Sequence, residues 1–184
     1  MPLPTHVLIE PRQLIDRLGV KIGMKVGDFG VGGAASFAVP LGQRVGPNGE
    51  VLMFDVLKSA LSAALSLTKM RGLNNCRAVW SNLEIFEGAR GVRPNSLDAG
   101  LLVNVLNQTK KYRDMLVEIH RMLKTGAALL VVDWQPGMNL SFAPTKEERL
   151  AVEHVNQVAR ELGFATLDQF SAGPYHWGLV LVKT

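Results

Sequence analysis

Acidic and glycine residues in the amino-terminal third of the chain occur at a spacing that could hold a nucleoside ligand. Asp28 comes just before a turn that contains Gly30 and Gly32, and Asp55 ends the next apolar run. Glycines let the backbone of a turn approach a ligand closely. A carboxylate after the second strand can accept hydrogen bonds from ribose hydroxyls. The order of strand, glycine turn, helix, strand and acid therefore predicts a site for an adenosine-containing cofactor.

Two strands and the helix between them must position these residues. Apolar runs predict strands over 25–29 and 50–55, and small residues after the glycine turn predict a helix over 33–44. Pro40 lies inside that predicted helix and removes one backbone hydrogen bond, so we expect a kink or an early end there. The segment Gly46-Pro47-Asn48-Gly49 predicts the turn before the second strand.

The rest of the chain alternates between helical and strand patterns. Further helices are predicted over 11–18, 57–71, 112–123 and 147–162, and further strands over 76–80, 97–103, 127–134, 165–171 and 175–182. Only Ala172-Gly173-Pro174 separates the last two strands, which should therefore be antiparallel neighbours. The pattern predicts the α/β class, with a parallel sheet completed by an antiparallel hairpin.

The glycine turn leaves two cofactor types open. The pattern Gly30-x-Gly32-x-x-Ala35 fits a loose nicotinamide fingerprint, in which the turn holds a pyrophosphate. Asp28 argues against this, because its carboxylate would repel a pyrophosphate but could hold an ammonium group. The chain is also short for the separate substrate domain that such dehydrogenases usually carry.

Motifs along the chain are similar to those of one enzyme family. DFGVGG, followed by Asp55, resembles motif I of the class I S-adenosylmethionine-dependent methyltransferases. EIHRMLKTGAALLVVDW resembles the family's E-x-x-R-x-L-K-P-G-G stretch and next strand, with Thr125 and Ala127 replacing the proline and the second glycine. With VNVLNQ and AGPYHWGLV, the motifs are most similar to small, undecorated prokaryotic members. The resemblance implies a Rossmann-like seven-stranded methyltransferase sheet, mostly parallel, with an antiparallel C-terminal hairpin and helices on both faces.

The resemblance also implies S-adenosylmethionine as cofactor, with S-adenosylhomocysteine as product. The implied cofactor-binding residues are Asp28, Phe29, Gly30, Gly32, Asp55, Val56, Asn82, Leu83 and Asn104. Asn82 stands where many members have an aspartate for the adenine amino group, and its side-chain carbonyl can still accept a hydrogen bond. Asn104 should lie beside the reactive methyl group. The alternative is that Asn104, Asn107 and Gln108 only cap the next helix.

Methyl transfer depends mainly on aligning the acceptor with the departing sulfur. A general base matters when the acceptor must lose a proton early, and His176, Asp133 and Tyr175 are the candidate bases. A histidine on a strand is more often structural than catalytic. His6, His120 and His154 stand apart without a second ligand at metal spacing, so we predict no metal.

Length and composition limit the remaining possibilities. The 184 residues predict a single domain, with a lead-in helix in 1–24 and the core in 25–184. The sequence has a single cysteine, Cys76, which excludes an internal disulfide and fits a reducing cytoplasm. We see no signal peptide and no apolar run near the roughly 20 residues that span a bilayer, so we expect a cytoplasmic protein without a membrane partner. The net charge of +4 comes with scattered basic residues and permits a nucleic-acid partner without requiring one.

Several functions remain compatible with this pattern. The first is methyl transfer to a small molecule by a monomer or homodimer. Alternatives are an RNA or protein methyltransferase, a non-catalytic S-adenosylmethionine-binding protein and, less favoured, a nicotinamide-binding fragment. With no inserted lid, the amino-terminal segment and the loop over 135–145 are expected to shape the acceptor pocket.

Overall fold

The computed structural model of the chain describes residues 9–137 and 141–184. These residues contain seven strands: β1 (Lys25–Phe29), β2 (Glu50–Asp55), β3 (Cys76–Trp80), β4 (Leu97–Val103), β5 (Leu123–Trp134), β6 (Phe164–Ser171) and β7 (His176–Lys183). They also contain five α-helices: α1 (Pro11–Leu18), α2 (Ala38–Val45), α3 (Lys58–Met70), α4 (Tyr112–Met122) and α5 (Val152–Glu161). A short 3₁₀ helix, Leu106–Gln108, follows β4.

All seven strands form one sheet in the order β3-β2-β1-β4-β5-β7-β6. β1 to β5 are parallel, and β7 lies antiparallel between β5 and β6. This confirms the predicted sheet and its closing hairpin. The parallel strands all end at one edge, which we call the carboxyl edge, and begin at the amino edge. The strand order reverses between β1 and β4, and ligands of open α/β sheets bind at the carboxyl edge of such a reversal.

Helices cover both faces of the sheet. α1, α2 and α3 pack on one face, called here the α1 face, where Leu41 and Leu61 are buried. α4 and α5 pack on the other, the α4 face, where Ile119 and Val155 are buried. Because successive strand residues point to opposite faces, the sequence position of a strand residue fixes the face on which its side chain lies.

The prediction for the first long helix was wrong at its start. Residues 33–37 form turns, and α2 begins only at Ala38. Pro40 is therefore in the first turn of the helix, where a backbone N–H has no intrahelical partner to lose. The kink expected at Pro40 does not follow, because the proline begins the helix rather than interrupting it.

Two later boundaries also differ from the predictions. α5 begins at Val152 rather than near residue 147. Residues 146–148 form a separate turn, in which the Glu148 carboxylate accepts hydrogen bonds from the Thr145 backbone N–H at 2.8 Å and from its hydroxyl at 2.9 Å. β5 begins at Leu123, before the start predicted at residue 127. Gly126 has a φ of 81° and lets the strand continue through an irregular register.

Within residues 9–137 and 141–184, every helix is too short or too polar to span a bilayer. The single-domain organisation and the cytoplasmic location stay predictions.

Candidate active site

The glycine turn after β1 lies between the ends of two neighbouring strands. The backbone N–H groups of Gly30 and Val31 both donate to the Phe54 carbonyl of β2, at 2.9 and 3.0 Å. Gly30 has a φ of 82°, and a Cβ at this position would overlap the Val105 side chain that follows β4. Only glycine fits between these elements. Phe29 turns its buried side chain against the Phe54 ring, so it could reach a ligand only through its backbone.

Asp55, at the end of β2, is hydrogen-bonded to the glycine turn. Its Oδ2 accepts from the Gly32 N–H at 3.1 Å, and its Oδ1 accepts from the Leu57 N–H at 2.9 Å. A carboxylate has about four acceptor positions, so two remain for a ligand. Val56 exposes its side chain at the edge, and its carbonyl accepts from the Trp80 indole at 2.9 Å.

Asp28 is buried at the carboxyl end of β1, and its Oδ2 has no hydrogen-bond partner among residues 9–137 and 141–184. Burial raises the pKa of this carboxyl to about 7, and the charge of Asp55 adds to the rise. A cation placed against Asp28 would favour its ionised form and lower that pKa.

The residues after β3 are only partly free. Asn82 Oδ1 accepts from the Glu84 N–H at 3.0 Å, and Leu83 is buried in the core of the α4 face. The sequence analysis did not predict Ser81, although its position directly after β3 is the available signal. Its N–H donates to the Asp55 carbonyl at 3.1 Å, and its buried hydroxyl has no partner in the described parts of the chain.

Asn104 follows β4 with a φ of 57°, in the left-handed region that few non-glycine residues adopt. Its N–H donates to the Val132 carbonyl of β5 at 2.9 Å, and its carbonyl accepts from the Gln108 side chain at 2.6 Å. Its buried Oδ1 is unpartnered within the described ranges. Neither the 3₁₀ helix nor α4 has a side-chain cap. The capping alternative is therefore wrong, and backbone strain and an unmatched oxygen coincide at a predicted site residue.

Unpartnered polar atoms concentrate at the carboxyl edge. Five residues in the described ranges have a buried side-chain N or O without a partner: Asp28, Ser81, Asn104, His120 and His176. All of them except His120, which packs against Phe164, lie at the carboxyl edge. A buried polar group left unpaired costs about 1–3 kcal/mol. A cluster of such groups at the strand reversal indicates a binding site for a polar ligand.

Aromatic side chains gather where β5 ends and β7 begins. The Trp134 ring centroid lies 4.2 Å from that of His176 and 6.2 Å from that of Phe142, which is 5.4 Å from Tyr175. We call these four residues the aromatic cluster. Trp134 and His176 are paired across the two strands and lie on the α1 face. Burial lowers the pKa of His176 to about 4, so its ring is neutral at pH 7.

Asp133 lies on the α4 face, opposite the side chain of His176, so the two candidate bases do not form a pair. Its carboxylate is fully buried and is hydrogen-bonded to Asn107 and Trp134. Tyr175 belongs to the aromatic cluster.

No group of three or more metal-ligating side chains occurs within residues 9–137 and 141–184. His120 and His154 lie in separate aromatic contacts, and His6 is outside the described residues. The absence of a metal stays a prediction. The predicted acceptor loop is described except for residues 138–140, and the amino-terminal segment only from residue 9.

Solved structures share this fold at low sequence identity. A SAM-dependent methyltransferase from Aquifex aeolicus superposes with a TM-score of 0.87 at 22% identity, over 100% of this chain and 95% of that one. The [4+2]-cyclase SpnF superposes with a TM-score of 0.78 at 16% identity, over 94% of this chain and 80% of that one. These likenesses establish the fold alone, because proteins with different reactions share it.

Sequence relatives cover the chain in part. A ubiquinone/menaquinone biosynthesis C-methyltransferase from Idiomarina loihiensis is 32% identical over 67% of this chain and 47% of its own length. The one from Pasteurella multocida is 33% identical over 67% and 44%. The catalytic subunit of a tRNA (adenine(58)-N(1))-methyltransferase from Cryptococcus neoformans is 34% identical over 53% and 23%. The chain thus spans less than half the length of these relatives.

The sequence pattern of one family matches most of the chain. The model of the ubiE/COQ5 methyltransferase family matches residues 1–144, which include the glycine turn, Asp55 and Asn104. The seven-stranded sheet and the unpartnered polar atoms at its carboxyl edge agree with that match. The chain therefore belongs to the ubiE/COQ5 methyltransferase family.

Proposed function

We propose that the chain methylates a small, planar molecule that binds against the aromatic cluster. The observation that carries this proposal is the position of Trp134, Phe142, Tyr175 and His176 at the carboxyl edge, next to Asn104. Asn104 is hydrogen-bonded to Val132, two residues before Trp134 on the same strand. Aromatic side chains favour flat, apolar ligands, since stacked and edge-to-face rings attract each other. Relatives named for quinone methylation support the same acceptor class.

The residues present fit S-adenosylmethionine, which supplies an electrophilic methyl group when bound. Asp28 would hold its ammonium group, because an unpartnered buried carboxylate needs a cation or a donor. The two free acceptor positions of Asp55 would take ribose hydroxyls, with Gly30 and Gly32 allowing close backbone approach. Asn104 would lie near the methyl group.

The adenine end of the proposed site is formed by residues that follow β2 and β3. Val56, Leu83 and Asn82 would flank the base, but the Asn82 oxygen already accepts one hydrogen bond. The unpartnered Ser81 hydroxyl is a further group that could serve this end.

In this proposal the chain aligns the acceptor and exchanges at most one proton with it. The neutral His176 ring could accept a hydrogen bond from an acceptor hydroxyl, or its proton when the acceptor loses one. Because burial holds the pKa of His176 near 4, the ring is a weak base, and accepting a hydrogen bond from a phenol or quinol hydroxyl suits it better than taking up the proton. Asp133 does not face the aromatic cluster and is not assigned this role.

The first test is calorimetric titration with S-adenosylmethionine, S-adenosylhomocysteine and NAD, using Asp55→Ala as control. Binding of both adenosyl compounds, lost in the variant, supports the cofactor site, and binding of NAD alone contradicts it. Methyl transfer is then assayed on a naphthoquinol, a simple phenol, an aliphatic amine and a tRNA transcript. Transfer to the flat acceptors that falls at least about tenfold in Trp134→Ala supports the acceptor class. Transfer to the amine alone contradicts it.

RNA is the second candidate acceptor, because one relative is a tRNA methyltransferase subunit. The exposed side chains of Trp80 and Phe86 could stack on bases, and the exposed Arg90 and Arg93 lie in the same groove. Binding of a tRNA transcript that weakens steeply with added salt, together with methyl transfer to it, would favour this candidate.

A further inference from the structure

The Asp133 carboxylate accepts hydrogen bonds on both oxygens at the end of β5. Its Oδ1 accepts from the Asn107 side-chain amide at 2.9 Å and from the Trp134 N–H at 2.8 Å, and its Oδ2 accepts from the Asn107 N–H at 3.3 Å. The residue is completely buried. Burial raises the pKa of Asp133, and the hydrogen bonds from Trp134 and Asn107 oppose that rise. Since these neighbours are all donors, an acceptor-only carboxylate fits the position and an amide does not.

These bonds fix the segment that carries Asn104. Residues 104–108 leave β4, pass over the glycine turn and lead into α4. Asn107 holds one end of the segment to β5 through Asp133, and the Asn104 N–H holds the other to Val132. Between them, Val105 packs against Gly30. A shift of this segment would therefore move the strained Asn104 and the wall of the glycine turn together.

We infer that Asp133 is a positioning residue, which acts through Asn107 to hold Asn104 in place at the methyl-transfer site. A direct catalytic role does not fit its geometry, because the carboxylate is buried on the α4 face, away from the aromatic cluster. The inference rests on the proposed function through the assignment of Asn104 to the site.

Amide hydrogen exchange tests this role without any acceptor. Asp133→Asn places an amide against donors, and Asn107→Ala removes the side-chain bond while leaving Asp133 intact. Each is expected to speed exchange in a peptide covering 103–111 by about tenfold or more, and S-adenosylhomocysteine affinity should fall about threefold to tenfold. The double variant should resemble Asp133→Asn, because both changes break the same contact. Asp98→Asn, a matched carboxylate change at the amino edge, should leave exchange in this peptide unchanged.

Kinetics then separate positioning from base catalysis. With an acceptor from the previous assays, Asp133→Asn and Asn107→Ala should both lower kcat, by about 10- to 100-fold for the aspartate change. The acid limb of the pH–rate profile should stay in place. A general base predicts the opposite, since Asp133→Asn would abolish that limb and Asn107→Ala would stay near wild type.

Two results would overturn the inference. One is the kinetic result expected of a general base, in which Asp133→Asn abolishes the acid limb and Asn107→Ala stays near wild type. The other is an amide exchange rate in 103–111 that rises no more in the variants than the rate in the rest of the chain. Because Asn107→Ala keeps the buried charge bonded to backbone N–H groups, it provides the test if Asp133→Asn does not fold. A positive exchange result without methylation of any planar acceptor would reject the proposed acceptor and leave the positioning role standing.

Discussion

The two edges of the sheet differ in whether their polar side chains have hydrogen-bond partners. At the amino edge, Asp98 accepts from the Lys25 N–H at 2.7 Å and from the Lys124 ammonium at 2.5 Å. The Lys183 ammonium there donates to the Asn95 side chain and to two backbone carbonyls, at 2.7 to 2.9 Å. At the carboxyl edge, buried atoms of Asp28 and Asn104, among others, have no partner in the described residues.

The difference between the two edges also appears in the pKa values of their aspartates. Burial raises the pKa of both Asp98 and Asp28, but hydrogen bonds from Lys124 and Lys25 bring that of Asp98 below its usual range. Nothing in the described chain does the same for Asp28, whose pKa stays near 7. The same side chain thus contributes to stability at one edge and is available to a ligand at the other. Four changes test this contrast, from the largest expected effect to the smallest.

Replacing Asp55 by alanine should have the largest effect. It removes the two proposed ribose contacts and the bonds to the Gly32 and Leu57 N–H groups, and each bond to a charged group contributes about 1.5–3 kcal/mol. We expect S-adenosylhomocysteine to bind at least about 100-fold more weakly by calorimetry. Asp98→Ala should lower the thermal midpoint but keep the affinity. Equal losses of affinity in the two variants would contradict the contrast.

Asp28→Asn should weaken cofactor binding and stabilise the free protein. The folded-state pKa lies above the unfolded value, so the free protein loses stability as pH rises from about 4 to 7. The asparagine removes that loss, whose upper limit is about 4 kcal/mol for this shift. The thermal midpoint at pH 8 should rise, while affinity for S-adenosylmethionine falls about tenfold and no longer increases as pH rises through 7. A lower midpoint at pH 8 would show that Asp28 is already satisfied.

His176→Phe should make the protein less sensitive to acid. The folded-state pKa of about 4 lies below the ordinary value of 6.5, so wild-type stability is complete above pH 6.5 and falls as the pH drops toward 4. Phenylalanine cannot take up that proton. The difference between thermal midpoints at pH 7.5 and pH 5 should therefore shrink by several degrees. An unchanged difference would mean that His176 is not buried in its neutral form.

Arg77→Ala should have the smallest effect. Its guanidinium contacts Glu50 at 3.1 Å, and the side chain is half exposed. Pairs of this kind contribute about 0–1 kcal/mol. We expect a midpoint shift of about 2 °C or less and no change in cofactor affinity. A loss of affinity would show that the amino edge influences the site.

Much of the sheet was predictable because its signals are local. Buried strands such as 25–29, which a glycine follows, and 50–55, which ends in an acid, are marked by local residues, and their predicted and observed bounds agree. The start of α2 was not predictable, because Pro40 could interrupt a helix or begin one. The bond between Asn107 and Asp133 joins residues on different elements, and so does the ring contact between Trp134 and His176. Such pairings depend on the sheet order, which neither residue reveals alone.

The insertion of β7 between β5 and β6 has a consequence for the order of assembly. The glycine turn, Asp55 and Asn104 come from the first two thirds of the chain and leave the ribosome well before His176. His176 takes its place only when β7 forms long-range pairs with β5, a slow class of folding event. The elements of the cofactor half are therefore synthesised before the aromatic cluster can close, and ligand present during synthesis would meet that half first.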